Sequence, residues 1–222
     1  MSKKNVIEVE NISKKFKERI VLDDVSLYVE QGTICGLVGM NGSGKTLLMK
    51  AICGFLRPDS GVVMVDGKQI GKDCDFPENT GVIIENPSFS QYFSGFRNLK
   101  YLASINKKIS HKEIREAMKL VGLNPDDRRW VSKYSLGMRQ RLGIAQAVME
   151  HQNILILDEP MNGVDKHGVE DIRTLLLKFR EEGKTIILSS HNKEDIEILC
   201  DTVYEMDNGK IQAIGIVNSS CR

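Results

Sequence analysis

Cysteine is scarce and unpatterned in this chain. Cys35, Cys53, Cys74, Cys200 and Cys221 are odd in number and show no C-x-x-C spacing, which argues against a disulfide framework or zinc site and fits a reducing cytosol. Long apolar runs are lacking: none approaches the ~18 residues a membrane span requires, so any membrane role is expected to come through a partner. The basic start MSKKNVIEVE is followed by no apolar stretch, and no signal peptide is predicted. An excess of one charge is missing too. The 31 basic and 30 acidic residues leave a formal charge of +1, so bulk electrostatics point to no nucleic-acid or anionic-membrane partner. Internal repeats and low-complexity tracts are absent from the sequence.

What is present reads as one α/β domain with an ordinary core. VSLYVE alternates as a strand with one wet face does. VVMVDGKQI and YEMDNGKIQAIG each run into an Asx-Gly hairpin turn. TICGLVG, NILILD and TIILSS are solidly apolar, as central strands of a mainly parallel sheet must be. GVIIENPSFS closes a further strand with Val82, Ile83 and Ile84 and leaves Glu85 where the chain departs the sheet. Helices are predicted after Thr46 (Leu47, Leu48, Ala51, Ile52), from a Ser110–Glu113 capping box to Gly122, and from Val169 to near Gly183. The middle of the chain, roughly 90–150, reads as a helical insertion.

GMNGSGKT carries the strongest chemistry. Gly39, Met40, Asn41, Gly42, Ser43, Gly44, Lys45 and Thr46 fit G-x-x-x-x-G-K-[ST], between an apolar strand and the helix that Leu47 helps to open. Glycines let successive N–H groups point inward as an anion nest, and the helix N-terminus adds its positive end. Lys45 supplies a point charge for the β- and γ-phosphates, and the Thr46 hydroxyl a ligand for Mg²⁺. ILILDEP then delivers Asp158 and Glu159 at a strand's C-terminal edge, where ligands bind in open α/β sheets. Asp158 is suited to hold Mg²⁺ through its water shell, and Glu159 to deprotonate an attacking water. In KYSLGMRQRLGIAQAVME, Ser135 reads as a helix N-cap with Gly137 two residues on, a second anion site or an ordinary capped helix.

Phosphate loop, Ser-x-Gly helix start, Asp-Glu strand end and a histidine closing TIILSSH together resemble the ATP-binding subunit of ABC transporters over nearly the whole chain. The resemblance implies a P-loop NTPase fold of the ABC ATPase type, with a mainly parallel sheet, an N-terminal antiparallel β part and a helical insertion subdomain. It implies Mg²⁺-dependent ATP hydrolysis with ATP and Mg²⁺ bound. Phe16 fits the family's adenine-stacking aromatic, against the alternative of a core phenylalanine. His191 fits its γ-phosphate-sensing histidine, and Met161 to Asp165 the loop after the catalytic glutamate. YSLGM stands where the family usually has Leu-Ser-Gly-Gly-Gln, keeping Ser135 and Gly137 but departing at Leu136 and Met138.

The family further implies a head-to-tail dimer, in which Ser135 and Gly137 serve ATP bound by the other copy. A separate membrane-spanning permease would dock on the helical insertion and the segment after Glu85, keeping the subunit cytoplasmic at the inner membrane face. Glu85 takes a position where the family usually has glutamine; a carboxylate keeps the oxygen ligand for Mg²⁺ and adds a full charge. Glu85 together with YSLGMRQR resembles exporters of bacitracin and lantibiotic-type peptides, which serve immunity or resistance. Two rival readings fit the sequence less well. Soluble ABC-type ATPases acting on DNA or ribosomes carry long coiled coils or two cassettes, and a P-loop kinase has no use for Ser135, Gly137 or Glu159.

Overall fold

The computed structural model describes residues 4–85 and 88–216, so Cys221, Asn86 and Pro87 lie outside the described residues. Two sheets share the chain. The first is antiparallel, in the order β2-β1-β4-β5, from β1 (Asn5–Phe16), β2 (Arg19–Glu30), β4 (Ser60–Val65) and β5 (Lys68–Gln69). The second is built from β3 (Ile34–Val38), β6 (Thr80–Ile83), β7 (Ile154–Leu157), β8 (Thr185–Ser189), β9 (Thr202–Asp207) and β10 (Lys210–Ile216), in the order β10-β9-β3-β8-β7-β6. All its pairings are parallel except β9 with β10. The two Asx-Gly turns are present, with Asp66, Gly67, Asn208 and Gly209 all at positive φ, as hairpins of this twist require.

Alternate side chains of the parallel strands enter two different cores. Ile154, Ile156 and Ile187 pack with the antiparallel sheet and α1 (Lys45–Ile52). Leu155, Leu157, Ile186 and Leu188 pack instead with the helices between β6 and β7. This two-sided burial is why the strands are apolar at every position. Those helices are α2 (Gly95–Asn106), α3 (His111–Leu120) and α4 (Leu136–Val148), with a 3-10 turn at Val131–Lys133. Ser110 and Glu113 form the expected capping box at the start of α3. After β7 follow α5 (Lys166–Glu181) and α6 (Lys193–Leu199).

Strand β6 ends at Ile83, one residue before its expected close. Ile84 is only half-buried and Glu85 turns into the left-handed region at φ 61°, so the chain has left the ladder before the carboxylate.

Gly81, on β6, has an ordinary extended backbone but no room for a side chain. A Cβ there would sit 1.8 Å from the carbonyl oxygen of Ala147 in α4. The two nearest atoms, the carbonyl oxygen and carbon of Ala147, are backbone and cannot yield by rotating a side chain. We therefore expect Gly81→Ala to push α4 off the sheet and destabilise the fold by about 3 kcal/mol, the upper end for overpacking. The urea midpoint measures it; an unchanged midpoint would mean that the contact relaxes freely.

Candidate nucleotide site

The order β3-β8-β7 decides the site. β8 stands between the strand that feeds the phosphate loop and the strand that ends in Asp158. The last residue of β8, Ser189, is fully buried. Its Oγ donates to Asp158 Oδ1 at 2.6 Å and accepts from the Glu159 backbone N–H at 2.9 Å. From the other side, Thr46 Oγ1 donates to Asp158 Oδ2 at 2.7 Å. One carboxylate thus ties the ends of β7 and β8 to the first turn of α1. Ser189 was not anticipated from the sequence; the doubled serine closing TIILSS was the available signal.

Residues 39–46 wrap the N-terminus of α1. Gly39, Gly42 and Gly44 have φ of 141°, 81° and 116°, values that side chains resist. Gly39 is also confined sterically, since a Cβ would lie 2.2 Å from the Met206 carbonyl oxygen. The β9–β10 turn buttresses the loop from behind, Gly209 N–H donating to the Ser43 carbonyl at 2.9 Å. Lys45 is buried and folds its ammonium across the loop onto the carbonyls of Gly39 and Met40, at 2.7 and 3.0 Å. Asn41, Gly42, Gly44, Lys45, Thr46, Leu47, Asp158 and Glu159 line a cleft of ≈ 180 Å³.

Two features of this loop fit a polyphosphate. Ser43 Oγ is buried without a hydrogen-bond partner among the described residues, although a buried hydroxyl normally has one. At Gly42, which is exposed and at positive φ, nothing within 4 Å would meet a Cβ, so no protein atom crowds the loop backbone from that side. Among the described residues no group of three His, Cys, Asp or Glu side chains converges to hold a metal ion. Thr46 Oγ1 and Asp158 Oδ2, 2.7 Å apart, are a hydroxyl and a single carboxylate of the kind that fit Mg²⁺, which keeps waters and takes substrate phosphate oxygens beside one or two carboxylates.

Glu159 stands in the left-handed region at φ 50°, an uncommon backbone for a residue of its kind. His191 lies two residues beyond β8, and its Nδ1–H donates to Glu159 Oε2 at 2.9 Å in the tautomer that this contact requires. Gln140 on α4, also unanticipated, donates to the Glu159 carbonyl at 3.3 Å. Glu159 is therefore gripped by residues from three elements.

The remaining expected residues lie further out. Phe16 ends β1 and is 48% exposed with Lys14 Nζ 5.6 Å from its ring centroid, which removes the core-phenylalanine alternative. Glu85 does not join Asp158 and Thr46: its Oε1 pairs with Lys50 Nζ at 2.5 Å. Lys50 is one helical turn beyond Thr46 on α1, so the carboxylate is held near the site without entering it. Ser135 caps α4 by accepting from Met138 N–H at 3.2 Å. Ser135 and Gly137 line no part of this chain's phosphate cleft. Gly137 borders Val164, and Leu136 packs against Gly163, where a Cβ would strike it. Asp165 caps α5, accepting from Gly168 N–H at 2.9 Å.

Comparison with known proteins agrees with this geometry. The ABC transporter family model matches residues 22–162. An uncharacterized ABC transporter ATP-binding protein of Bacillus subtilis, YybJ, is 46% identical over 207 residues, covering 93% of this chain and 95% of that protein. The bacitracin transport ATP-binding protein BcrA of Enterococcus faecalis is 40% identical, over 93% of this chain and 68% of that protein. The lantibiotic transport ATP-binding protein SrtF of Streptococcus pyogenes is 34% identical, over 93% and 89%. Among solved structures, a dimeric ATP-binding cassette in a post-hydrolysis state with ADP and Pi superposes with a TM-score of 0.86 at 20% identity, covering 96% of this chain and 99% of that one. A TM-score of 0.84 at 25% identity, over 96% and 90%, relates it to an ATP-binding subunit of an ABC transporter. With its phosphate loop, Asp158–Glu159 strand end and fold all in agreement, this chain belongs to the ABC transporter ATP-binding family.

Proposed function

We propose that this chain is the Mg²⁺-dependent, ATP-hydrolysing subunit of an exporter for antimicrobial peptides, acting in immunity or resistance. The observation that carries the catalytic part is the Glu159 carboxylate, fixed beside the phosphate cleft by His191 at 2.9 Å. Oε2 is occupied by the histidine, leaving Oε1 to take the proton of an attacking water. As that water's oxygen bonds to the γ-phosphorus, the bond to the bridging oxygen breaks and ADP leaves with the electron pair. Lys45 releases its own loop's carbonyls and turns its charge to the β- and γ-phosphates, while Ser43 Oγ gains the partner it lacks. Thr46 and Asp158 would hold Mg²⁺, which neutralises phosphate charge when bound. Phe16, exposed at the tip of the β1–β2 hairpin, is the stacking surface for adenine.

A head-to-tail pair of cassettes follows from the same reading. The phosphate loop with Asp158 and Glu159 forms a cleft of ≈ 180 Å³, which the surface of a second copy would cover. Ser135 and Gly137, away from their own cleft, are free to complete that of a second copy. Among the described residues no helix is long and apolar enough to cross a membrane; the membrane-spanning part of the exporter is proposed to be a separate permease subunit. Tyr92 and Trp130, both exposed and edge-to-face at 5.8 Å, offer it an aromatic contact near the segment after Glu85. That docking would hold the subunit on the cytoplasmic face. The peptide substrate class rests on the bacitracin and lantibiotic transport relatives.

Glu159→Gln tests the base. It should still bind ATP but hydrolyse it at least about 100-fold more slowly, in the range typical for loss of a general base, and accumulate as a nucleotide-bound dimer. Wild-type turnover in a phosphate-release assay would remove Glu159 from this role.

Glu85 is proposed as a further Mg²⁺ ligand, moving off Lys50 when ATP is bound. Its present ion pair is half-exposed, so losing it should cost less than about 1 kcal/mol of stability. Glu85→Ala should therefore fold normally, yet need more Mg²⁺ for half-maximal hydrolysis and uncouple transport from it, with Glu85→Gln much milder. An unchanged Mg²⁺ titration and unchanged transport in Glu85→Ala would reduce Glu85 to a strand-end charge.

A further inference from the structure

His191 is two-thirds exposed along its side chain, and its one hydrogen bond among the described residues is to Glu159. Its placement has to come from the loop that carries it. The buried centre beneath that loop is Arg173 on α5, only 8% exposed. Its Nε and Nη2 both donate to Asp195 Oδ1, at 2.8 and 2.5 Å. Nη2 also reaches Glu194 Oε2 at 2.9 Å. Asp195, buried in the first turn of α6, turns its other oxygen to the loop: Oδ2 accepts from Ser190 Oγ at 2.9 Å. The same hydroxyl accepts from Asn192 N–H at 3.1 Å. Ser190 and Asn192 are the two neighbours of His191, so a single hydroxyl clamps the backbone on both sides of it.

We propose that Arg173 is a positioning residue for His191, acting through Asp195 and Ser190 to fix the loop that presents the imidazole to Glu159. Stability alone does not account for the pair. Two charges withdrawn from water return little net folding energy, and apolar residues of similar volume commonly serve as well or better. What an apolar pair cannot do is accept from Ser190. The acceptor must be a carboxylate oxygen whose direction is set, and the guanidinium sets it by gripping the other oxygen. α5 follows directly on the Met161–Asp165 loop, so the clamp also roots His191 in the helix that this loop begins. The catalytic consequence rests on the reading of Glu159 and His191 given above; the placement of the loop does not.

The test uses the full chain. Arg173→Met with Asp195→Leu replaces the pair by apolar volume, and should keep the thermal midpoint close to wild type. Ser190→Ala cuts the clamp while leaving the ion pair. Both should lower kcat for ATP about tenfold or more, the scale of a small misplacement, with KM for ATP unchanged. Arg173→Lys, which keeps a donor for Asp195, should recover part of the rate. Without nucleotide, hydrogen exchange should quicken in residues 190–196 of both variants and stay unchanged in residues 39–46. Wild-type kcat in either folded variant, or a raised KM at constant kcat, would overturn the proposal, as would unaltered exchange. If wild type itself fails to hydrolyse ATP, the catalytic reading fails, and the exchange measurement still decides whether Arg173 places the loop.

Discussion

The nucleotide site hangs on one carboxylate. Asp158 receives Thr46 Oγ1 on one oxygen and Ser189 Oγ on the other, at 2.7 and 2.6 Å. These two hydroxyls belong to α1 and β8, so the bonds hold a helix and two strands in fixed relation. Buried acceptors left unpaired are costly, and that cost makes the arrangement specific. Moving α1 or β8 by an ångström or two would leave the largely buried Asp158 short of partners. Glu159 inherits its position from this arrangement, because Ser189 Oγ also accepts from its N–H.

In the function proposed, binding and chemistry fall to different parts of the site. The phosphate loop is shaped by backbone: positive φ at its glycines, a carbonyl of β9 pressing on Gly39, and a hairpin turn bonded to Ser43. Catalysis is assigned instead to side chains held by long-range contacts. Gln140 reaches Glu159 from the helical insertion, and His191 from the loop after β8. Both contacts reach Glu159 directly and not by way of the phosphate loop. The insertion is itself tied to α5, since Arg141 donates to both the Val121 carbonyl and Asp171, at 2.9 and 2.8 Å.

α5 consequently meets both ends of this apparatus. Asp171 on it takes Arg141 from α4, and Arg173, two residues on, takes Asp195 beneath His191. Its cap, Asp165, closes the loop that packs on Leu136 and Gly137. A single rigid helix thus relates the surface read as serving a second nucleotide to the histidine read as serving the first.

Much of this was determined by sequence. Local rules suffice for the phosphate loop, the capping box at Ser110, the hairpins at Asp66-Gly67 and Asn208-Gly209, and the buried strands, because each depends on residues a few positions apart. Asp158 and Glu159 were legible because an apolar strand must end somewhere and ligands gather at such ends. Tertiary structure decided the rest. Ser189 became a partner of Asp158 only because β8 inserts between β3 and β7, a strand order that no local pattern encodes. Phe16 fits core or surface by sequence alone, and the β1–β2 hairpin puts it in the open. Glu85 could be placed at the strand end by pattern, but its pairing with Lys50 depends on the packing of β6 beside α1. Arg173 on an amphipathic helix looks like any solvated arginine; its burial against Asp195, and the clamp on Ser190 that follows, exist only once α5 and α6 are packed together.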